Sequence, residues 1–301
     1  MTMLRLFSAI QLGTLELTNR LVATPSPSRF SHGGGFLNRS LIVEYGRWSS
    51  YGIGLIISEP VLVQANSNLP RPALSADAHI QAFRNLNQCL HEYQSHCLPL
   101  LSLVSQPESQ LQPSNWPTLR EQMVLAAWRA YAAGSPGIVI DANAGSLFHQ
   151  LRVSKQVPPT SRSQLLLEII EAIRGWLGRQ FVVGVRLVVD DLVPDGVSLQ
   201  ESRVLAHELV AAGVDLLDLV VGRSVAPIAQ FPGWQIPLVA GIRSIVDVPL
   251  IAHGMLGDPW IAEEMLREGC ADLVGLEAAI SATPHWPIWA RQQLEREAEA
   301  A

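Results

Sequence analysis

Eight short apolar runs, each followed by a stretch with helical spacing, constrain this chain more than any other feature. The runs span 21–24, 54–58, 98–103, 137–141, 181–187, 216–220, 249–252 and 271–276. Several are continuously apolar and rich in β-branched residues, as strands covered on both faces are. The spacing between and after them predicts helices over 38–51, 78–93, 119–133, 161–177, 198–212, 236–245, 258–268 and 284–297. Such alternation is itself an internal repeat. It reads as α/β, a TIM (β/α)8 barrel rather than an open doubly wound sheet. No Pro/Ser-rich or charged linker divides the 301 residues, so one domain over 1–301 is expected.

Composition excludes several function classes. Hydrophobic residues make up 48% and charged residues 16%, which suits a large two-sided core and not a disordered chain. A net charge of −6 offers no basic footprint for phosphates, which argues against nucleic acid. No apolar stretch reaches membrane length, and Gln11 and Glu16 break the apolar start, so no membrane partner is expected. Cys89, Cys97 and Cys270 lack metal-type or redox-type pairing; their odd number without a secretory leader points to a reducing cytoplasm. The only lysine, Lys155, lies in a polar, Pro-rich stretch, which argues against Schiff-base chemistry.

In a barrel of this kind, chemistry sits beyond the C-terminal ends of the strands. Those ends collect Thr24, Glu59, Asp141, Arg186, His253 and Glu277 at one mouth. Ionisable groups in a mostly apolar mouth are costly without a role. Bland readings stand beside the functional one. Asp141 and Asn143 can cap the following segment, Glu59 can do the same, His253 can be a satisfied barrel histidine, and Arg186 can pair structurally with Asp141.

The sequence resembles the old yellow enzyme family of FMN-dependent NAD(P)H:flavin oxidoreductases and ene-reductases over nearly its whole length. The resemblance is carried by Leu6-Phe-Ser-Ala-Ile-Gln-Leu-Gly13, Thr18-Asn-Arg20-Leu-Val, Gly52-Ile-Gly-Leu-Ile-Ile-Ser-Glu59 and Val183-Gly-Val-Arg186-Leu. Ala211-Ala-Gly-Val-Asp215, Pro249-Leu-Ile-Ala-His-Gly254, Ala271-Asp-Leu-Val274 and Pro284-His-Trp-Pro287 extend it. It implies FMN across the barrel mouth, with the phosphate near the seventh and eighth strands.

Carried over residue by residue, most functional positions depart from the family. Its histidine, histidine or asparagine, and tyrosine after the fourth strand are here Asp141, Ala144 and Ser146, with Asn143 one place out of register. Pro60 replaces a residue whose backbone N–H meets the flavin, and proline has none to give. Leu103 stands at the glutamine position, with Gln106 nearby, and Pro27 stands at the residue that tunes the flavin. The Gly-Arg phosphate clamp becomes Glu277-Ala278, Met255 replaces a small or amide residue, and 151–162 is a remnant of an arginine-rich segment. Arg186 matches the arginine that faces the flavin pyrimidine.

These losses lead to an expectation of no cofactor: a barrel without FMN, acting as a pseudoenzyme and partner protein, or as a flavin-independent isomerase, lyase or cyclase. Catalysis would then fall to Asp141, Arg186, His253, Glu277, Asn143 and Ser146 acting as acid, base and anchors. The alternative is an FMN-dependent NAD(P)H oxidoreductase with an altered site, using Pro25, Arg186 and Gly254 for the cofactor. A Mg²⁺ or Mn²⁺ site from Glu59, Asp141, Glu277 and His253 has no supporting ligand spacing, so no metal is assigned. The expected partner is a small molecule in the barrel mouth or another protein, with homo-oligomers open.

Overall fold

The computed structural model describes residues 4–25, 34–64, 69, 71–107, 111–222 and 231–300. A hairpin comes first, β1 (Ile10–Leu12) and β2 (Leu15–Leu17), turning through Gly13 at φ +55°. That positive φ is what a two-residue hairpin loop demands and what glycine supplies. Eight parallel strands follow: β3 (Leu21–Ala23), β4 (Leu55–Leu62), β5 (His96–Ser102), β6 (Gly137–Ala142), β7 (Val182–Val188), β8 (Leu216–Val220), β9 (Leu250–Ala252) and β10 (Leu273–Gly275). They close in sequence order, β10 pairing with β3, into the expected TIM barrel.

The helices around it are α1 (Arg39–Ser50), α2 (Ile80–His91), α3 (Trp116–Ala132), α4 (Leu147–Val153), α5 (Gln164–Leu177), α6 (Leu199–Ala211), α7 (Ile236–Arg243), α8 (Pro259–Arg267), α9 (Glu277–Ala282) and α10 (Trp286–Ala300). Local chemistry sets their ends. Ser198 and Glu201 form a reciprocal capping box on α6, and Asp258 caps α8 by accepting from the amides of Trp260 and Ile261. Gly178, at φ +72°, ends α5 in the left-handed region that glycine tolerates. Among the described residues no helix is long and apolar enough to cross a membrane.

Two apolar layers hold the barrel. Outward side chains of the strands, such as Ile138, Ile140, Val183, Val185, Leu217 and Leu219, pack under the helices. Inward ones form a separate interior cluster that includes Val22, Ile57, Leu98, Val139, Val182, Leu216, Ile251 and Leu273, joined by Leu12, Leu15 and Leu17 of the hairpin. The hairpin thus plugs one end of the barrel and leaves the other for the site. Burying each such side chain stabilises the fold by about 1.5–3 kcal/mol relative to exposure.

Three features go beyond the sequence expectation. The hairpin and the short helices α4 and α9 are absent from it, because each is too brief to show a period. Strand β4 runs four residues past Ser58, with its register to β5 shifting between Ile57 and Pro60. A bulge of this kind turns side chains to new faces.

Candidate active site

Strand periodicity builds the site. Inward positions recur every second residue, so Val139 is followed upward by Asp141, Val182 by Gly184 and Arg186, Leu216 by Asp218, Ile251 by His253, and Leu98 by Leu100 and Ser102. The interior is apolar at the plugged end and becomes polar one or two steps higher. Above these groups opens a cavity of about 850 Å³ whose walls include Thr24, Pro25, Ser102, Asp141, Arg186 and His253.

Asp218 is the hub of the polar layer, and nothing in the sequence reading singles it out. It is fully buried; its Oδ2 accepts from Arg186 Nε at 2.6 Å and its Oδ1 meets His253 Nε2 at 2.6 Å. Burial alone would raise its pKa, but the charges and hydrogen bonds of Arg186 and His253 outweigh it and bring the carboxyl down to about 2. An ionised carboxylate only accepts, so His253 Nε2 carries the proton in this contact. Gly275 permits the arrangement, since a Cβ there would lie 2.3 Å from His253 Cε1.

Asp141 sits apart from this ion pair. The strand register sets it beside Arg186, yet the arginine is committed to Asp218. Asp141 Oδ2 accepts from Ser102 Oγ at 2.8 Å and Oδ1 from the Asn143 amide at 3.1 Å. Burial raises its pKa, with Arg186, Ser102, the Asn143 amide and Arg71 opposing. The expected Asp141–Arg186 pair is therefore replaced by Arg186–Asp218–His253, because Asp218 offers the closer carboxylate.

The other expected residues divide. Asn143, Ser146, Gly254, Pro25 and Glu277 all line the cavity. Ser146 also caps α4 by accepting from the His149 amide, and Asn143 Oδ1 accepts from the Ala144 amide at 2.7 Å, so both shape the loop after β6. Glu277 is exposed at the start of α9. Glu59 is not part of the cavity wall: it is buried, its amide donating to the Tyr45 hydroxyl of α1 at 3.1 Å, a consequence of the β4 bulge. Pro27 lies outside the described residues. Among the described residues no group of three or more His, Cys, Asp or Glu is placed to hold a metal ion. Arg71, Trp234 and Gln235 also line the cavity; they come from connections without a period and give no signal in the sequence.

Comparison with known proteins bears on the cofactor. The model of the NADH:flavin oxidoreductase / NADH oxidase family matches residues 5–114 and 118–297. An NADH oxidase of Thermoanaerobacter brockii is 27% identical over 97% of this chain and 51% of its own length. An NADPH dehydrogenase of Bacillus subtilis (strain 168) is 28% identical over 98% of this chain and 97% of its own. Among solved structures, a 2-naphthoyl-CoA reductase complexed with 2-naphthoyl-CoA superposes with a TM-score of 0.87 at 17% identity, covering 96% of this chain and 52% of that one, a likeness of fold. The chain spans about half the length of the first curated relatives it matches.

These findings overturn two expectations drawn from the altered motifs, that the barrel has lost FMN and that it is a pseudoenzyme or a flavin-independent acid–base enzyme. The family is a flavin oxidoreductase family, and the relatives carry oxidase and dehydrogenase names. The physical reason for the correction lies at Glu277. A carboxylate at the phosphate end repels it by several kcal/mol at 4 Å only if the interior dielectric is about 20; an exposed carboxylate interacts through water, at about 1 kcal/mol. By its sequence, over nearly all of its length, the chain belongs to the NADH:flavin oxidoreductase / NADH oxidase family.

Proposed function

We propose that this barrel is an FMN-dependent NAD(P)H oxidoreductase with an altered active site. The observation that carries the reading is Arg186: its Nε is committed to Asp218, while its Nη2 is buried without a hydrogen-bond partner among the described residues, in a side chain that lines the cavity. Thr24 Oγ1, which lines the same cavity from the end of β3 across the barrel, is in the same condition. Unpaired buried polar atoms cost about 1–3 kcal/mol each, and a ligand edge carrying carbonyl and imide groups, as a flavin does, would offset that cost. A volume of about 850 Å³ lies within the range of small-molecule sites, and Pro60, Leu100, Val220 and Leu276 give it apolar walls. The residues present fit the group.

Arg186, Thr24 and Pro25 would hold the ring system, and the backbone around 254–257 and 276–279, which lines the cavity, would take the phosphate end. When bound, FMN supplies two-electron transfer from a reduced nicotinamide to an acceptor. The chain's own part is positioning. Asp218 fixes the arginine in one orientation, and His253 holds Asp218 from the far side. The apolar cluster below them closes the barrel interior on the hairpin side, so the polar layer faces the cavity alone. We set this activity in the cytoplasm, on the ground that the three thiols Cys89, Cys97 and Cys270 are unpaired.

The test is anaerobic mixing of the FMN-loaded protein with NADH or NADPH. The reading expects saturable bleaching of the flavin absorbance with at least one nucleotide. A bound flavin that neither nucleotide bleaches would refute it.

A further inference from the structure

We infer that Asp141 makes the ligand side of this cavity selective for an amine, bound as its ammonium ion, and against phenolates and carboxylates. The inference rests on the flavin reading, since the ligand would share the cavity with FMN.

Asp141 is 6% exposed, stands at an inward position of β6 and lines the cavity. Its two oxygens accept one hydrogen bond each, from Ser102 Oγ and from the Asn143 amide. Both partners donate, which supports the ionised form, and each carboxylate oxygen retains a second lone pair for a ligand N–H. Among the described residues no side-chain cation lies within 4.0 Å of it; its neighbour in register, Arg186, pairs with Asp218 instead. Buried carboxylates are ordinarily paired with a cation, and here the open side of the carboxylate faces a cavity. The missing partner is best supplied by the ligand.

The neighbouring chemistry narrows the class. Ser102 is neutral, and among the described residues no group of three or more His, Cys, Asp or Glu is placed to hold a metal ion, so a divalent metal finds too few oxygen ligands. Leu100, Val104 and Ala144 line the same cavity and suit the hydrocarbon part of an organic amine. The charged groups whose fields reach Asp141 are Arg186 from β7 and Arg71 from the segment after β4. Arg186 is neutralised by Asp218, so its charge opposes an ammonium less than its proximity suggests. Because burial raises the Asp141 pKa, the subsite should weaken towards acid pH, where protonation removes the charge that attracts the ligand.

The experiment uses the purified protein, its flavin content first read by absorbance, and titrates it calorimetrically with benzylamine and with benzoate. The inference expects benzylamine to bind about tenfold or more tightly than benzoate near neutral pH, with the preference falling as the pH is lowered. Asp141→Asn should abolish the preference while leaving flavin content unchanged. Equal or tighter binding of benzoate to the wild type, or an intact preference for benzylamine in Asp141→Asn, would overturn it. If that variant does not fold, the wild-type preference and its pH profile decide alone. A protein that binds no FMN sinks the flavin reading separately, and the same titration without FMN still decides the role of Asp141.

Discussion

Replacing Asp218 by asparagine should expose how the site is held. The carboxylate is fully buried between Arg186 Nε and His253 Nε2, each at 2.6 Å. The amide would keep the shape and one acceptor but remove the charge, leaving the buried Arg186 guanidinium without its counter-ion. Breaking a buried pair from one side costs about 3–5 kcal/mol. Part of that is visible as pH dependence. The folded-state pKa of Asp218 lies at about 2, below the unfolded value of about 3.9, so its contribution is present above the unfolded pKa and is lost as pH falls through the folded one. That depression corresponds to about 2–3 kcal/mol of stability, lost progressively between roughly pH 5 and pH 2. Urea unfolding of wild type and Asp218→Asn at neutral pH and at several acid values reads both quantities. A variant less stable by under about 1 kcal/mol at neutral pH, or one with undiminished acid sensitivity, would refute the reasoning.

Four further outcomes follow from the geometry. Arg186→Lys retains the charge beside Asp218 but removes the unpartnered Nη2, so FMN affinity measured by fluorescence quenching should fall about tenfold or more with a smaller loss of stability. Glu277→Gln should tighten FMN by no more than about fivefold, the factor expected from an exposed charge; a gain of hundreds would show that Glu277 acts in a low dielectric. Gly275→Ala drives a Cβ into the His253 ring and should destabilise the fold by about 1–3 kcal/mol in thermal or denaturant unfolding. Asp258→Ala removes the cap that accepts from Trp260 and Ile261 and should cost about 1 kcal/mol in denaturant unfolding.

The barrel is legible because its strands are written as apolar runs and its helices as periodic ones, a contrast that survives at any level of detail. The mouth is legible to the extent that polar residues interrupt those runs: Asp141, Arg186 and His253 stand at the C-terminal ends of β6, β7 and β9 and do line the cavity. Asp218 carries the same signal and is missed. In Leu216-Leu-Asp-Leu-Val220 it shares the inward phase of Leu216, one step up, as Arg186 stands above Gly184. Glu59 is misplaced because phase counting fails across the shift between Ile57 and Pro60. Arg71 and Gln235 arrive from connections, where no period predicts direction. The cofactor is misjudged for another reason. Motif positions record which side chains are present, whereas the unpartnered Nη2 of Arg186 and the exposure of Glu277 are properties of packing.

Flavin binding is the claim on which the rest depends, and equilibrium dialysis of the purified chain against FMN, followed by an absorbance spectrum, tests it most directly. The account predicts a yellow protein holding one FMN per chain, bound more weakly when Arg186 is replaced. A colourless protein that takes up no FMN at concentrations that saturate ordinary flavin sites would contradict it.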